Sequence, residues 1–439
     1  MKSVPVKTKV GKHFRAPSIF LMPKSDLDAR VLAIANQRYP RAPGGMSLEQ
    51  IDGLVFNLKD YREMWGTITQ TAFHDNEEIP RRSLADRVKI INPGLEFLLR
   101  GNDSDRTKMG TTGLFDLSTI REVNRITSSE TSPSDKAEQI VHEVYPKIHA
   151  GTINSILRYQ LNEEADIIIL PTVPITSTRY FDKQIEKATE MIRTSCVLLE
   201  RLFSGTVNRR DMMVTVTADA RFLAERKYVV ELAACLFSQE SEQAGPERVR
   251  PDHVGVAISN LDKGNETQIQ NVFDFMGLLY QGMKEQGRVV PLHLLNIDQL
   301  GYLAFNYGVS AITMPIAADP YFYSIRHKKD ITPPRKGVYY VPSKMKYEPY
   351  DKLLELTRSN NYRLPCHCET CDEGQTVFNA ETIWDFNEFR KIHDALYKNI
   401  ENKMLREPRI PFPDAMRDML SRCRPAWTQY MPTNPQVAF

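Results

Sequence analysis

The residues best suited to chemistry in this chain are Cys366, Cys368 and Cys371, three of its six cysteines within six consecutive positions, followed by His393. Three thiolates and one imidazole are the donor set of a tetrahedral structural zinc site. A tight knuckle carries the sulfurs in such a site, and a separate element brings the histidine. His393 lies in a segment with apolar residues at helical spacing (Ile383, Phe386, Phe389, Ile392, Leu396, Ile400), and a helix can hold its ring rigidly towards the knuckle. His367 and Glu369, between the sulfurs, point outward in this reading. The competing chemistry is a reactive thiol cluster or a disulfide pair. Cys196, Cys235 and Cys423 are scattered, the first two in apolar helical settings, and read as core residues rather than a disulfide framework. A structural Zn2+ in a cytoplasmic protein is the expectation.

The elements that must position this knuckle are regular from residue 135 onward. Apolar strands at Ala165–Leu170, Met212–Thr217, Val254–Ser259, Val289–Leu295 and Gly308–Met314 alternate with helices. The helices are read at 137–157, 185–202, Ala220–Phe237, Gln268–Met283 and Asp298–Tyr307. That alternation implies parallel βαβ units, whose strands read as continuous apolar runs because both faces are covered. The first 135 residues read as irregular, with strands at Ser18–Pro23, Gly53–Leu58, Val88–Ile91 and Glu96–Leu99 and long loops over 101–113 and 127–135. About eight strands suit a closed (β/α)8 TIM barrel. No Gly-x-Gly-x-x-Gly or Gly-x-x-x-x-Gly-Lys-Ser/Thr follows any strand, so a doubly wound sheet would lack its usual phosphate cradle. The expected organisation is a basic tail over 1–15, the barrel over 16–361, the zinc knuckle and its helix over 362–406, and an irregular tail over 407–439.

Hydrophobic content of 41% and charged content of 26% are those of a globular protein, and a net charge of +2 leaves no global basic excess. A nucleic-acid face would therefore be local. The candidate is Arg326, Lys328, Lys329, Arg335 and Lys336 with Lys344-Met345-Lys346-Tyr347, where cations can meet phosphates and a tyrosine can stack on a base. A solvated loop is the plainer reading of the same charges. No apolar run approaches the length of a membrane span, and no membrane association is expected.

Leu364-Pro365-Cys366-His367-Cys368-Glu369-Thr370-Cys371, with His393 beyond it, resembles the zinc signature of the tRNA-guanine transglycosylase superfamily. Members of that family exchange guanine for a 7-deazaguanine in tRNA, and one branch does so in DNA. The resemblance implies a TIM barrel with a zinc subdomain inserted near its last βα unit. It also implies a base pocket, nucleic acid (tRNA or DNA) as partner, and guanine or 7-deazaguanine as ligand. Val254 to Glu266 is similar to the family's base-pocket strand, with Ser259 and Asn260 where the family has two glycines. Tyr180 to Arg201 resembles the helix after the base-binding strand, and Gly308 to Pro315 resembles the strand carrying the nucleophilic aspartate.

The carboxylates of that family are not at the matching positions. The nucleophile falls on Thr313 or Ala311, the second acid on Gly110, and the carboxylate that reads the base edge on Thr172. A neutral hydroxyl cannot replace a nucleophilic carboxylate without an added base. Asp319 and Asp116, and in the same kind of position Asp219, are the substitutes the sequence offers, each equally a helix cap or a loop charge. Two functions follow. One is an active base-exchange enzyme with relocated carboxylates. The other is a diverged binding subunit, like the transglycosylase-like accessory proteins of anti-phage defence operons, with a partner protein or a second copy of itself.

Overall fold

Eight runs of apolar residues become the parallel strands of a closed barrel in the computed structural model of the chain. It describes residues 4–38, 48–72, 84–95, 108–115, 117–204, 209–237, 251–262, 265–297, 300–316, 338–341, 346–349, 352–353, 355 and 383–406. A hairpin of β1 (Val4–Lys7) and β2 (His13–Ala16) comes first. Then follow β3 (Ser18–Met22), α1 (Asp26–Arg38), β4 (Gly53–Asn57), α2 (Tyr61–Ala72) and β5 (Val88–Asn92). Helices α3 (Leu117–Ser128), α4 (Pro133–Gln139) and α5 (Ala150–Asn162) lead to β6 (Ile167–Ile169). Next come α6 (Phe181–Phe203), β7 (Asp211–Asp219), α7 (Arg226–Phe237), β8 (His253–Ser259) and α8 (Glu266–Glu285). The chain continues through β9 (Leu292–Leu295), α9 (Gly301–Ala304) and β10 (Ala311–Pro315). A hairpin of β11 (Val338–Val341) and β12 (Lys346–Pro349) and the long α10 (Ile383–Arg406) end the described structure. Strands β3 to β10 pair in sequence order, and β10 returns to β3 with Ala311–Pro315 beside Ser18–Met22. This is a TIM-like α/β barrel. None of its described helices is long and apolar enough to cross a membrane.

Strand parity divides the apolar residues into two cores. Ile19, Leu21, Leu54, Phe56, Ile91, Ile168, Val214, Val256 and Ile312 face outward into one core shared with the helices. Phe20, Met22, Val55, Ile90, Ile167, Ile169, Met213 and Ala257 face inward and fill the barrel. The interior is tight: a Cβ on Gly53 would lie 2.5 Å from the Phe20 ring, and one on Gly255 would lie 2.8 Å from Met213 Sδ.

The structure departs from the sequence reading in four places. The expected basic tail is the β1–β2 hairpin, which plugs the floor of the barrel with Phe14. Two of its cations are spent there: Lys9 Nζ lies 2.5 Å from Asp252, and Lys12 Nζ donates to Asp166 and to the Arg87 carbonyl at 2.9 Å each. The expected irregular region contains α1, α2 and α3 beside three barrel strands. The expected continuous helix over 137–157 is broken. Pro146 cannot donate to the ladder, and the chain passes through a π turn (Ile140–Val144) and a 3-10 turn (Tyr145–Lys147) before His149 caps α5 by accepting from the Gly151 amide. The expected helix from Ala220 is a 3-10 turn over Ala220–Ala224 and then α7. The expected strand at Glu96–Leu99 lies outside the described residues.

Replacing Gly53 with alanine drives a methyl group into the Phe20 ring. Overpacking of this kind costs about 1–3 kcal/mol. Denaturant unfolding of Gly53→Ala should show a loss of that size, and Phe20→Leu in the same chain should recover part of it. An unchanged midpoint would mean that the interior yields freely.

Candidate functional site

A barrel of this kind presents its chemistry at the C-terminal ends of its strands. Here those ends enclose a small mouth with a cavity of about 20 Å³, and every barrel strand except β4 contributes a residue at or near its last position. Strand β4 contributes Val55. Met22, Val55, Ile169, Ala257 and Leu295 make apolar walls. The polar lining is Asn92, Thr172, Thr215, Thr217, Asn296 and Thr313. Among the described residues, no Asp, Glu, His, Lys or Arg lines it.

Two of the four hydroxyls are already committed. Thr172 Oγ1 donates to the Thr215 carbonyl at 3.2 Å, and Thr215 Oγ1 donates back to the Leu170 carbonyl at 3.5 Å. Asn92 Oδ1 accepts from the Gly94 amide at 3.2 Å. Asn296 differs. It is 6% exposed, its backbone is left-handed with φ +52°, and its side-chain Oδ1 has no hydrogen-bond partner. Its position is fixed, because the Ile297 amide donates to the Thr313 carbonyl at 2.9 Å. Asn57 shares the inward side of β4 with Val55, two residues before it, and its Oδ1 also has no partner.

Of the residues expected at a base pocket, Thr172 and Thr313 meet in this mouth. Ala311 lies in the same inward column as Thr313 but deeper in the barrel filling. Gly110 does not reach the mouth. It packs against Ile120 in a short helical turn, where a Cβ would lie 2.9 Å from the Ile120 side chain. Ser259 and Asn260 end β8 at the rim, turned to β7: Ser259 Oγ donates to the Ala218 carbonyl at 3.3 Å and Asn260 Nδ2 donates to Asp219 at 2.6 Å. Asp219 is a cap. It accepts from the Arg221 amide at 3.2 Å and pairs with that guanidinium. Asp116, Asp319, Arg326, Lys328, Lys329, Arg335, Lys336, Cys366, Cys368 and Cys371 lie outside the described residues. Sequence reasoning missed Asn57, Asn92 and Asn296. Their signal was parity: a carboxamide ending an apolar strand on its inward column, or just beyond it.

Ionisable groups inside the barrel sit at its floor. His253 Nε2 lies 3.3 Å from Asp211, and His253 Nδ1 lies 3.1 Å from His293 Nε2. Burial, and then the neighbouring His253, hold His293 well below the ordinary histidine range, so it is neutral. Phe14 and Phe20 pack on this pair.

The fourth expected zinc ligand is described. His393 is fully buried in α10, stacked on Tyr339 with ring centroids 4.4 Å apart, and its Nε2 donates to the Tyr340 carbonyl at 2.8 Å. That bond places a proton on Nε2. Among the described residues no cluster of His, Cys, Asp and Glu could hold a metal, the three cysteines not being among them. About two turns further along α10, Glu401 accepts from the hydroxyls of Tyr302 and Tyr340, the latter at 2.7 Å. The Tyr340 contact ties the β11–β12 hairpin to α10, and the Tyr302 contact ties α9 to it. Compared with known proteins, the chain matches no family model and no curated protein.

Burial pushes the Glu401 carboxyl from 4.5 up to about 7, against its tyrosine donors and Lys398, which favour the charged form. A raised carboxyl stabilises the fold fully below its unfolded pKa, and that contribution is lost as pH rises through the folded value. The window here runs from about pH 4.5 to about 7. Melting curves of Glu401→Gln should therefore gain on the native chain as pH rises from 5 to 8. A difference that stays constant over that range would mean that Glu401 is ionised throughout.

Proposed function

We propose that this chain is a diverged member of the transglycosylase superfamily it resembles, a zinc-bearing barrel that binds a guanine-type base at its mouth without exchanging it. The observation that carries the reading is the neutral lining. Base exchange by that family's route needs a carboxylate to hold the sugar's anomeric carbon and another to move protons. Thr313 stands in the mouth where the nucleophile is expected and Thr172 where the carboxylate that reads the base edge is expected, Gly110 at the second acid's position lies outside it, and among the described residues the rest of the lining is amide, hydroxyl and hydrocarbon. Such a surface suits a flat, uncharged, hydrogen-bonding ring.

The zinc reading rests on the donor set and on one contact. A ligating histidine characteristically gives its other ring N–H to a carbonyl, as His393 does to Tyr340. Cys366, Cys368, Cys371 and His393 Nδ1 would hold the ion, and a closed four-protein-ligand site supplies folding energy rather than catalysis. Arg326, Lys328, Lys329, Arg335 and Lys336, in the segment between β10 and α10, are the phosphate contacts of this proposal. A partner protein would supply any chemistry.

The test combines metal analysis with base transfer. Purified protein should carry about one zinc per chain, a content lost in Cys368→Ser. With tRNA or duplex DNA and labelled guanine or 7-deazaguanine, label should bind the protein and not enter the polymer. Incorporation that disappears in Asp319→Ala or Asp116→Ala would overturn the binding-only reading and establish the enzyme.

A further inference from the structure

We propose that Asp211, His253 and His293 form an acid-sensitive latch on the β1–β2 hairpin, which stays seated in the barrel floor while both rings are neutral and is released when the pair takes up a proton. The three side chains stand on the inward columns of β7, β8 and β9, in step with Met213, Ala257 and Leu295. They make one chain across the floor. Asp211 Oδ2 lies 3.3 Å from His253 Nε2, and His253 Nδ1 lies 3.1 Å from His293 Nε2. A carboxylate only accepts, so with one proton on each ring every step runs the same way. His253 donates to Asp211, His293 donates to His253, and the chain ends in His293 Nδ1, which is buried without a partner.

The hairpin is gripped at both ends of this chain. At one end Asp211 Oδ1 accepts from the Lys9 amide at 3.3 Å, with Lys9 Nζ 3.9 Å away. At the other, Phe14 of β2 packs edge to face on His293 with ring centroids 5.7 Å apart, and Phe20 of β3 packs on both rings. A proton added at His293 Nδ1 puts an unpaired ion at a site 1% exposed. The phenyl rings attract a cation, but by less than removing an unpaired ion from water costs. Passed on to His253, the proton draws the Asp211 charge away from Lys9 and leaves an N–H at His293 Nδ1 with no acceptor. Swinging the hairpin out admits water and relieves either state. The other charges near the floor are engaged or turned away. Lys9 also holds Asp252 at 2.5 Å, Lys12 holds Asp166, which Arg210 approaches at 4.0 Å, and His13 and Arg15 lie on the hairpin's outer face. Burial and His253 keep His293 well below its ordinary value of 6.5 while the floor is closed. Closure is therefore fully favoured above that value and weakens as pH falls below it, the opening constant rising up to about tenfold per pH unit for one proton.

Hydrogen exchange of the full-length protein, corrected for the intrinsic pH dependence of amide exchange, reads this opening in the peptides covering Val4–Ala16. Between pH 7 and pH 5 the hairpin should open about tenfold more, while the amides of α8 (Glu266–Glu285) stay within about twofold. His293→Gln keeps a donor for His253 and has nothing to titrate, so it should flatten the hairpin's response to within about twofold. Hairpin exchange that ignores pH in the native chain would end the proposal, and so would a rise shared equally by α8, which assigns the loss to the whole barrel. A His293→Gln chain as responsive as the native one would end it too. Where His293→Gln does not fold, the contrast between hairpin and α8 in the native chain decides alone.

Discussion

Closing a parallel barrel obliges every strand N–H and C=O to find a partner, and this barrel does so with side-chain amides and carboxylates wherever its strands diverge. Strands β3 and β4 pair only at Leu21 and Leu54. Beside that gap the Asn402 carboxamide of α10 brackets Ile19, accepting from its amide at 2.6 Å and donating to its carbonyl at 2.9 Å. Gln160 of α5 treats Ile169 of β6 in the same way, at 2.9 Å in both directions. Asp166 takes the Lys89 amide at 2.7 Å, and Asp52 takes the Arg15 amide at 2.8 Å together with the Arg406 guanidinium at 2.6 Å. Helix α10 thus completes the ring as well as covering it. The segment between β10 and α10, which holds the three cysteines, leaves from and returns to this fixed frame.

The same economy sorts charge by location. The floor carries Lys9, Lys12, Asp166, Asp211 and Asp252 in ion pairs, with the neutral His293 above them. The seam under α10 carries Lys391 against Asp28, Lys398 against Asp394, and Arg406 against Asp52. Buried pairs of this kind are a weak source of net stability, but losing one partner is costly, so they enforce one register of helix against barrel. The mouth is left without charge among its described lining residues. Polar fixtures at the floor and a permissive opposite face match the usual division in barrels between stability and function.

The barrel was legible where burial on both faces made strands into apolar runs, and less so elsewhere. Strands β3 to β10 follow from such runs to within a few residues. Helices α1 to α3 did not, because their apolar stripes are interrupted: α1 buries Ala29, Val31, Leu32 and Ala35 but opens with Asp-Leu-Asp-Ala-Arg. The hairpin at the start read as a basic tail because its counter-charges, Asp166 and Asp252, lie more than a hundred residues away in sequence. At the mouth, Thr172 and Thr313 were found through resemblance. Asn296 was not, since nothing in Leu294-Leu295-Asn296-Ile297 announces that a strand has ended in a left-handed turn.

The threonine at 313 is best understood together with its surroundings. A carboxylate placed there, at a site 2% exposed, would need donors to offset the loss of water. Two of the nearby hydroxyls cannot provide them freely: Thr172 and Thr215 already give their protons to backbone carbonyls of β7 and of the end of β6. The apolar neighbours Met22 and Leu295 provide none. A lone acid in this mouth would be driven towards its protonated, non-nucleophilic form. The neutral residue at 313 and the proton-committed hydroxyls of Thr172 and Thr215 are therefore mutually consistent.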